Sequence, residues 1–170
     1  MQLRSIAISP EKDTTINMSL INRVACEENV FNMFTTLLLC RLNLSTGEVH
    51  TCNAGHEPPI IIDPDGTVVA LQLESNVPVG LDPSYHFETQ HHTIKPGSML
   101  FFYTDGVTEA ANEEDELYGF ARLCYILKGA HRPTPQDVVA KVQADVKEFV
   151  GAAAQADDVT MFVVQDKGPE

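Results

Sequence analysis

The chain has 170 residues, which suits one domain with a hydrophobic core and is too short for two, so we expect residues 1–170 to form a single domain. Its formal net charge of −13 argues against a nucleic-acid-binding surface, because contacts to phosphate need clustered Lys and Arg side chains. The apolar runs are too short to cross a membrane and no charged-then-apolar leader opens the chain, so we expect a cytoplasmic protein without a membrane segment.

The first predicted element is a helix near the N-terminus. Ser9 followed by Pro10 has the order of a cap and a first-turn residue. Apolar residues then recur at the spacing of one helical face. The residues of this predicted face are Ile16, Leu20, Ile21 and Val24.

Four strand-like runs follow the helix. They cover residues 34–42, 48–53, 59–62 and 67–73. Turn signals at 45–47 separate the first two runs, and turn signals at 63–66 separate the last two. The pattern predicts an antiparallel meander.

The C-terminal half predicts two apolar strands with two helices between them. Residues 98–103 are apolar at successive positions, so both faces of this strand should be buried. A helix is predicted over 117–127, and a second begins with Thr134, Pro135 and Asp137, a cap, a first-turn proline and a reciprocal acid. Residues 159–164 form the last strand. Sheets covered by helices indicate a layered α+β fold.

An acidic residue stands at one end of each of these apolar strands. Asp105 follows the first strand, and Asp157 precedes the second. If the strands are antiparallel neighbours, the two carboxylates emerge at the same edge of the sheet. Carboxylates held close together repel, and a hard divalent cation such as Mg²⁺ or Mn²⁺ removes that conflict. Gly106 would allow a close backbone approach directly after Asp105.

Each of these residues also has a purely structural interpretation. Asp105 with Gly106 can form a turn, and Asp157 or Asp158 can act as a cap. Glu109 can be a solvated loop carboxylate, and His56 can be a loop imidazole bonded to backbone. Spacing alone leaves the two interpretations open.

The identity of the residues favours the functional interpretation. The blocks "FNMFTTLLLCRLNLSTGEVHTCNAGHEPPIII", "VPVGL", "PGSMLFFYTDGVTEAANEEDELYGFARL" and "QADDVTMFVV" occur in this order. They resemble the metal-dependent serine/threonine protein phosphatases (PPM), specifically the bacterial sporulation stage II protein E branch. The resemblance implies a layered α-β-β-α sandwich of two antiparallel sheets. It also implies hydrolysis of phosphoserine or phosphothreonine at a site with two Mn²⁺ or Mg²⁺ ions.

Site residues carry over from this resemblance one by one. Asp105 and Asp157 match metal ligands and would be catalytic, with Gly106 beside them and Glu109 near an additional, weaker ion. His56 lies in the site-facing loop, where the resemblance implies a catalytic or substrate-binding role together with Asn53. Asp158 would support the turn, and Val79, Gly80 and Leu81 would be structural.

One block of the family pattern has no match in the chain. The family's first metal-binding strand, with an aspartate that bridges both ions, is missing, so we expect an N-terminally truncated domain of about three quarters of the family length. Asp105 and Asp157 are then expected to hold one ion weakly or none. Exposed sheet edges are expected to promote self-association.

Two functions remain open at this stage. The first is a phosphatase acting on a phosphorylated regulatory protein of the anti-sigma-factor antagonist type in bacterial signal transduction. The alternative is a catalytically impaired docking or regulatory module that keeps the phosphatase fold. The unmatched bridging ligand favours the module, whereas the two retained acids favour the enzyme.

Overall fold

The computed structural model describes residues 13–27, 29, 33–74, 76–128, 133–155 and 157–167. The chain divides into two compact units, one formed by Met1–His56 with Leu73–Thr93 and the other by Glu57–Gln72 with Ile94–Glu170. Each unit contains one antiparallel sheet. The expected α+β class with two antiparallel sheets is therefore confirmed.

The described residues of the first unit form one helix and three strands. In chain order they are α1 (Thr14–Glu27), β1 (Leu37–Leu42), β2 (Glu48–Ala54) and β5 (Gln90–Thr93). The strand order is β1-β2-β5, and α1 packs against β1 and β2. Its core contains Met18, Cys52, Ala54, Val79 and Phe87.

In the second unit, the part of the chain that the structure describes forms four strands and three helices. They are β3 (Ile60–Ile62), β4 (Val68–Ala70), β6 (Met99–Tyr103), α2 (Asp105–Thr108), α3 (Phe120–Leu127), α4 (Pro135–Val150) and β7 (Met161–Gln165). The strand order is β4-β3-β6-β7. Helix α4 packs on β7 and on α3, and the core centres on Phe101, Leu123 and Val142.

The predicted meander is wrong in its middle connection. The hairpins β1-β2 and β3-β4 form as expected, but β2 pairs with β5 and β3 pairs with β6, so the hairpins belong to different sheets. Strand β5 was not predicted, because its sequence Gln-His-His-Thr lacks apolar alternation. Hairpin geometry is a local property, whereas the choice of the next neighbour depends on distant residues.

The predicted apolar face of α1 is correct only in part, because Ile21 packs against the core of the first unit whereas Ile16 does not. Ile16 is 53% exposed, and the buried positions are Thr14, Asn17, Met18 and Asn22. Asn22 is buried because it bonds a loop: its Oδ1 accepts from the Gly80 N–H at 2.9 Å and its Nδ2 donates to the Asp82 carbonyl at 2.8 Å. The predicted helix start at Ser9 and Pro10 lies outside the described residues.

Helix α4 begins as predicted. The Thr134 hydroxyl accepts from the Asp137 N–H, and the Asp137 carboxylate accepts from the Thr134 N–H, which together form a capping box with Pro135 in the first turn. Val138, Val142 and Val146 are buried on its inner face. Helix α3 is shorter than predicted and begins at Phe120.

Candidate metal and catalytic site

Strands β6 and β7 are antiparallel neighbours, which was the condition for Asp105 and Asp157 to emerge at the same edge of the sheet. Tyr103 at the end of β6 pairs with Met161 at the start of β7. Asp105 follows Tyr103 by two residues, and Asp157 precedes Met161 by four. The segments that carry the two acids therefore leave the same end of the β6-β7 pair.

Thr104 connects these two segments. Its N–H donates to the Thr160 carbonyl at 3.1 Å, and its hydroxyl accepts from the Thr160 N–H at 3.1 Å. The same hydroxyl donates to the Asp158 carbonyl at 3.0 Å. The side chain thereby fixes the turn after Asp157 against the residue before Asp105.

Gly106 makes the close approach that was predicted for it. A Cβ atom at this position would lie 2.5 Å from the Asp158 carbonyl oxygen and 3.0 Å from its carbon. Both contacts are to backbone, which has little freedom to move. A side chain at residue 106 would therefore push the two strand ends apart.

Both acidic side chains are exposed and bonded to their own turns. Asp105 Oδ1 accepts from the Gly106 N–H at 3.0 Å, and Asp157 Oδ1 accepts from the Asp158 N–H at 2.7 Å. The Asp157 carbonyl also accepts from the Gln155 side chain at 2.7 Å. Each carboxylate keeps a second oxygen that these bonds do not use, so both can accept a ligand.

Glu109 lies near the same edge. It is the C-cap residue of the short helix α2, and its N–H donates to the Asp105 carbonyl at 2.8 Å. Glu109, Gly106 and Asp157 line one cavity of about 470 Å³, whereas Asp105 is not part of its wall. The structure thus groups Gly106, Glu109 and Asp157 around a common space.

The loop with His56 belongs to the first unit. The His56 N–H donates to Asn53 Oδ1 at 2.9 Å, and Asn53 Nδ2 donates to the His56 carbonyl at 2.9 Å. Gly55 between them has φ +78°, a conformation that glycine adopts without strain. The buried Asn53 side chain therefore determines the path of the loop that carries His56.

Sequence reasoning did not identify two residues that support these loops. Asn76, directly before the "VPVGL" block, donates from Nδ2 to the Asn53 carbonyl at 2.9 Å. In the second unit, the Tyr103 hydroxyl donates to Glu57 at 3.3 Å. Burial, and then the Glu57 charge, raise the pKa of Tyr103, so it remains a neutral donor. The sequence signal for a supporting role was position alone: Asn76 directly precedes the "VPVGL" block, and Glu57 directly follows "NAGH".

The described residues fit a divalent cation only in part. No group of three or more His, Cys, Asp or Glu side chains that could hold an ion occurs among them. Mg²⁺ takes six oxygen ligands and usually keeps several waters, so two carboxylates supply a minor part of its shell. The donors present are of the right chemistry, but they do not complete a two-ion site.

Comparison with known proteins identifies the relatives of this chain. The sequence model of the family "Stage II sporulation protein E (SpoIIE)" matches residues 2–166. Protein IcfG of Synechocystis sp. is 33% identical over 142 residues, which cover 83% of this chain and 22% of that protein. Phosphoserine phosphatase RsbU of Bacillus subtilis is 30% identical over 95 residues, which cover 55% of this chain and 28% of RsbU. The chain therefore spans about a quarter of the length of these curated relatives.

The fold is similar to that of a solved phosphatase domain. A structure of the PP2C phosphatase domain of SpoIIE from Bacillus subtilis, with a fragment of its regulatory domain, has a TM-score of 0.74 at 22% identity, covering 90% of this chain and 44% of that one. The Mn-presoaked form of the SpoIIE phosphatase domain has a TM-score of 0.65 at 22% identity, covering 91% and 66%. Within the described part of this chain, no helix is both long and apolar enough to span a membrane.

Proposed function

Because the chain belongs to the stage II sporulation protein E (SpoIIE) family, we propose that it is a metal-dependent protein phosphatase that hydrolyses phosphoserine or phosphothreonine on a regulatory protein. Residues 1–170 would form one SpoIIE-type domain. The observation that carries the proposal is the pairing of β6 with β7, by which Asp105 and Asp157 leave the same end of two neighbouring strands.

Asp105 and Asp157 are the proposed ligands of Mn²⁺ or Mg²⁺. Gly106 follows Asp105 and approaches the Asp158 backbone, and Glu109, which lines the same cavity as Asp157, is the proposed ligand of a weaker additional ion. When bound, such an ion neutralises phosphate charge and lowers the pKa of bound water. Thr104 and Gly106 hold the strand ends together, so the carboxylates are positioned before an ion arrives. Water would supply the remaining ligands.

His56 and Asn53 are the proposed substrate-binding pair, and His56 also has a proposed catalytic role. Asn53 makes two hydrogen bonds to the backbone of His56, which set the path of the loop that carries this residue. The ring nitrogens of a histidine can bond a phosphate or transfer a proton near neutral pH. Asn53 then acts by holding the loop in position.

The proposed substrate is a phosphorylated regulatory protein of the anti-sigma-factor antagonist type. RsbU, a relative of this chain, is a phosphoserine phosphatase. The net charge of −13 is consistent with a protein substrate and disfavours nucleic acid. Recognition of a protein substrate would need contacts beyond the phosphate itself.

A docking or regulatory module without turnover is the second candidate. One observation favours it: among residues 13–27, 29, 33–74, 76–128, 133–155 and 157–167, no three-ligand group that could hold an ion is found. Such a module would bind a regulatory protein through the same fold. The two candidates differ in one measurable property, metal-dependent hydrolysis.

The test is hydrolysis of p-nitrophenyl phosphate in the presence of Mn²⁺ by the wild type, Asp105→Asn and Asp115→Asn. Asp115 is an exposed acid of the same unit with φ +60°, which asparagine tolerates, so it is a matched control. The phosphatase requires activity that Asp105→Asn abolishes and Asp115→Asn leaves intact. Absence of activity at every metal concentration would favour the docking module.

A further inference from the structure

The cavity beside the acidic strand ends has the size of a ligand site. Its volume of about 470 Å³ lies within the range of about 300–1,000 Å³ that is typical of small-ligand pockets. Its wall includes Gly106, Glu109 and Asp157, which also belong to the proposed metal site. A phosphoester held at the acidic edge would therefore border this cavity directly.

The floor of the cavity is apolar. Its buried or half-buried wall residues carry no charge and present small or apolar side chains. They include Ala110, Ala111, Val146, Val150, Val159 and Met161. Such a surface is suited to an aliphatic or aromatic side chain, which would gain free energy by leaving water.

The polar residues of the wall are all exposed and form a rim. They are Glu109, Gln143, Lys147, Gln155 and Asp157. Amide side chains such as Gln143 and Gln155 can hydrogen-bond to the backbone of an extended peptide. The ionisable groups of the rim stay in contact with water when an apolar group enters the floor of the cavity. The free-energy cost of desolvating them is therefore small.

We propose that this cavity is a specificity subsite that binds the apolar side chain of a residue flanking the phosphoserine of the substrate protein. This assignment rests on the proposed phosphatase function. An extended chain advances by at most about 3.3–3.6 Å per residue, so a phosphoserine at the acidic edge brings its neighbours to the cavity. A free phosphorylated small molecule would leave the apolar floor unused.

The loop after α4 offers a matched pair of variants. Ala154 is exposed and lines the cavity, whereas Ala152 is exposed in the same loop and does not line it. Ala154→Phe should fill the space from the solvent side without disturbing the core. Ala152→Phe adds the same side chain outside the cavity and is the control.

The experiment compares two phosphoserine peptides, one flanked by leucines and one by serines, with p-nitrophenyl phosphate, all in Mn²⁺. We expect the wild type and Ala152→Phe to prefer the leucine-flanked peptide by about tenfold in kcat/KM, the effect of burying one aliphatic side chain. Ala154→Phe should lose this preference and hydrolyse the serine-flanked peptide, which leaves the apolar floor unused, at the wild-type rate. Equal hydrolysis of the two peptides by the wild type, or an unchanged preference in Ala154→Phe, would overturn the subsite.

A binding measurement separates failure of the subsite from failure of the proposed function. If none of the three substrates is hydrolysed, the phosphatase proposal fails, and fluorescence anisotropy with the labelled peptides decides the subsite. The subsite requires about tenfold tighter binding of the leucine-flanked peptide to the wild type and Ala152→Phe, and no such difference in Ala154→Phe. Equal binding of the two peptides, or none, overturns it.

Discussion

The hydroxyl of Thr104 donates a hydrogen bond to the carbonyl of Asp158 at 3.0 Å, across 54 residues of sequence. It also accepts from the Thr160 N–H at 3.1 Å. The Thr104 side chain thus links the segment that carries Asp105 to the segment that carries Asp157. This relationship makes Thr104 a positioning residue for the proposed metal ligands.

We expect Thr104→Val to weaken Mn²⁺ binding and to lower the free energy of unfolding by about 1–2 kcal/mol, because valine keeps the shape and loses two hydrogen bonds. Thr104→Ser keeps the hydroxyl and should restore Mn²⁺ affinity. Isothermal titration with Mn²⁺ and urea unfolding measure the two effects. Equal Mn²⁺ affinity in Thr104→Val and the wild type would show that the hydroxyl serves stability alone.

Gly106→Ala should separate the two strand ends. Its Cβ would lie 2.5 Å from the Asp158 carbonyl oxygen, so the backbone must shift, at an expected cost of about 1–3 kcal/mol in the free energy of unfolding. Mn²⁺ binding and any phosphatase activity should fall with it. Urea unfolding and Mn²⁺ titration are again the measurements.

Gly66→Ala is the control for a glycine substitution in the same unit. Gly66 lies in the β3-β4 turn with φ +85° and has no atom within 4 Å of an added Cβ, so alanine meets backbone strain and no clash. It should lower stability by about 1–2 kcal/mol and leave Mn²⁺ affinity unchanged. If Gly66→Ala weakened Mn²⁺ binding as much as Gly106→Ala, the effect would not arise from the strand ends.

The parts of the fold that could be predicted depend on local chemistry. The capping box of Thr134 and Asp137 and the hairpin turns use residues that are adjacent in sequence. Strands β6 and β7 were predictable because both are apolar at successive positions, whereas their antiparallel pairing was a condition that the structure meets. The placement of Asp105 and Asp157 at the same end of this strand pair follows from that pairing.

The parts that could not be predicted depend on distant partners. Asn22 is buried because Gly80 and Asp82 bond its amide, and no helical periodicity reveals such partners. Strand β5 has polar residues because it lies at the edge of its sheet, where one side is solvated. The supporting role of Asn76 likewise depends on Asn53, 23 residues away.

Stability at acid pH should depend on Asp145, which joins α4 to α3. Asp145 accepts from Arg122 at 2.8 and 3.0 Å and from the Tyr118 hydroxyl at 2.7 Å. The hydrogen bonds from Arg122, and then from Tyr118, hold the pKa of this carboxyl below its usual range although burial opposes them. A carboxyl group whose pKa is lower in the folded state adds stability above its unfolded pKa and loses it as the pH falls through the folded value.

We therefore expect Asp145→Asn to lower the free energy of unfolding by about 1–3 kcal/mol near pH 7, and the difference from the wild type to shrink below about pH 4. Urea unfolding over this pH range measures it. Glu148→Gln, at an exposed position of the same helix, should change little at either pH. If the difference in the free energy of unfolding between the wild type and Asp145→Asn stayed constant down to about pH 3, the stability loss would not arise from the charge of the Asp145 carboxylate.

Strand β7 lies at the edge of its sheet and exposes an apolar side chain. Phe162 is 60% exposed and contacts Phe102 across the strand pair, with ring centroids 6.0 Å apart. The strand sequence Met-Phe-Val-Val-Gln has no charge to repel a second strand. Uncharged edge strands pair readily with other chains, so we propose that this chain self-associates through β7.

Phe162→Lys should therefore shift the chain toward monomer in sedimentation velocity at high concentration. A lysine on an edge strand opposes pairing by its charge and removes the apolar contact. Leu44→Lys is the matched control, because Leu44 is 62% exposed in the turn between β1 and β2, outside any strand. Pairing through β7 would be contradicted if the wild type stayed monomeric or if both substitutions shifted the chain equally toward monomer. Equal shifts would indicate that association arises from general surface hydrophobicity.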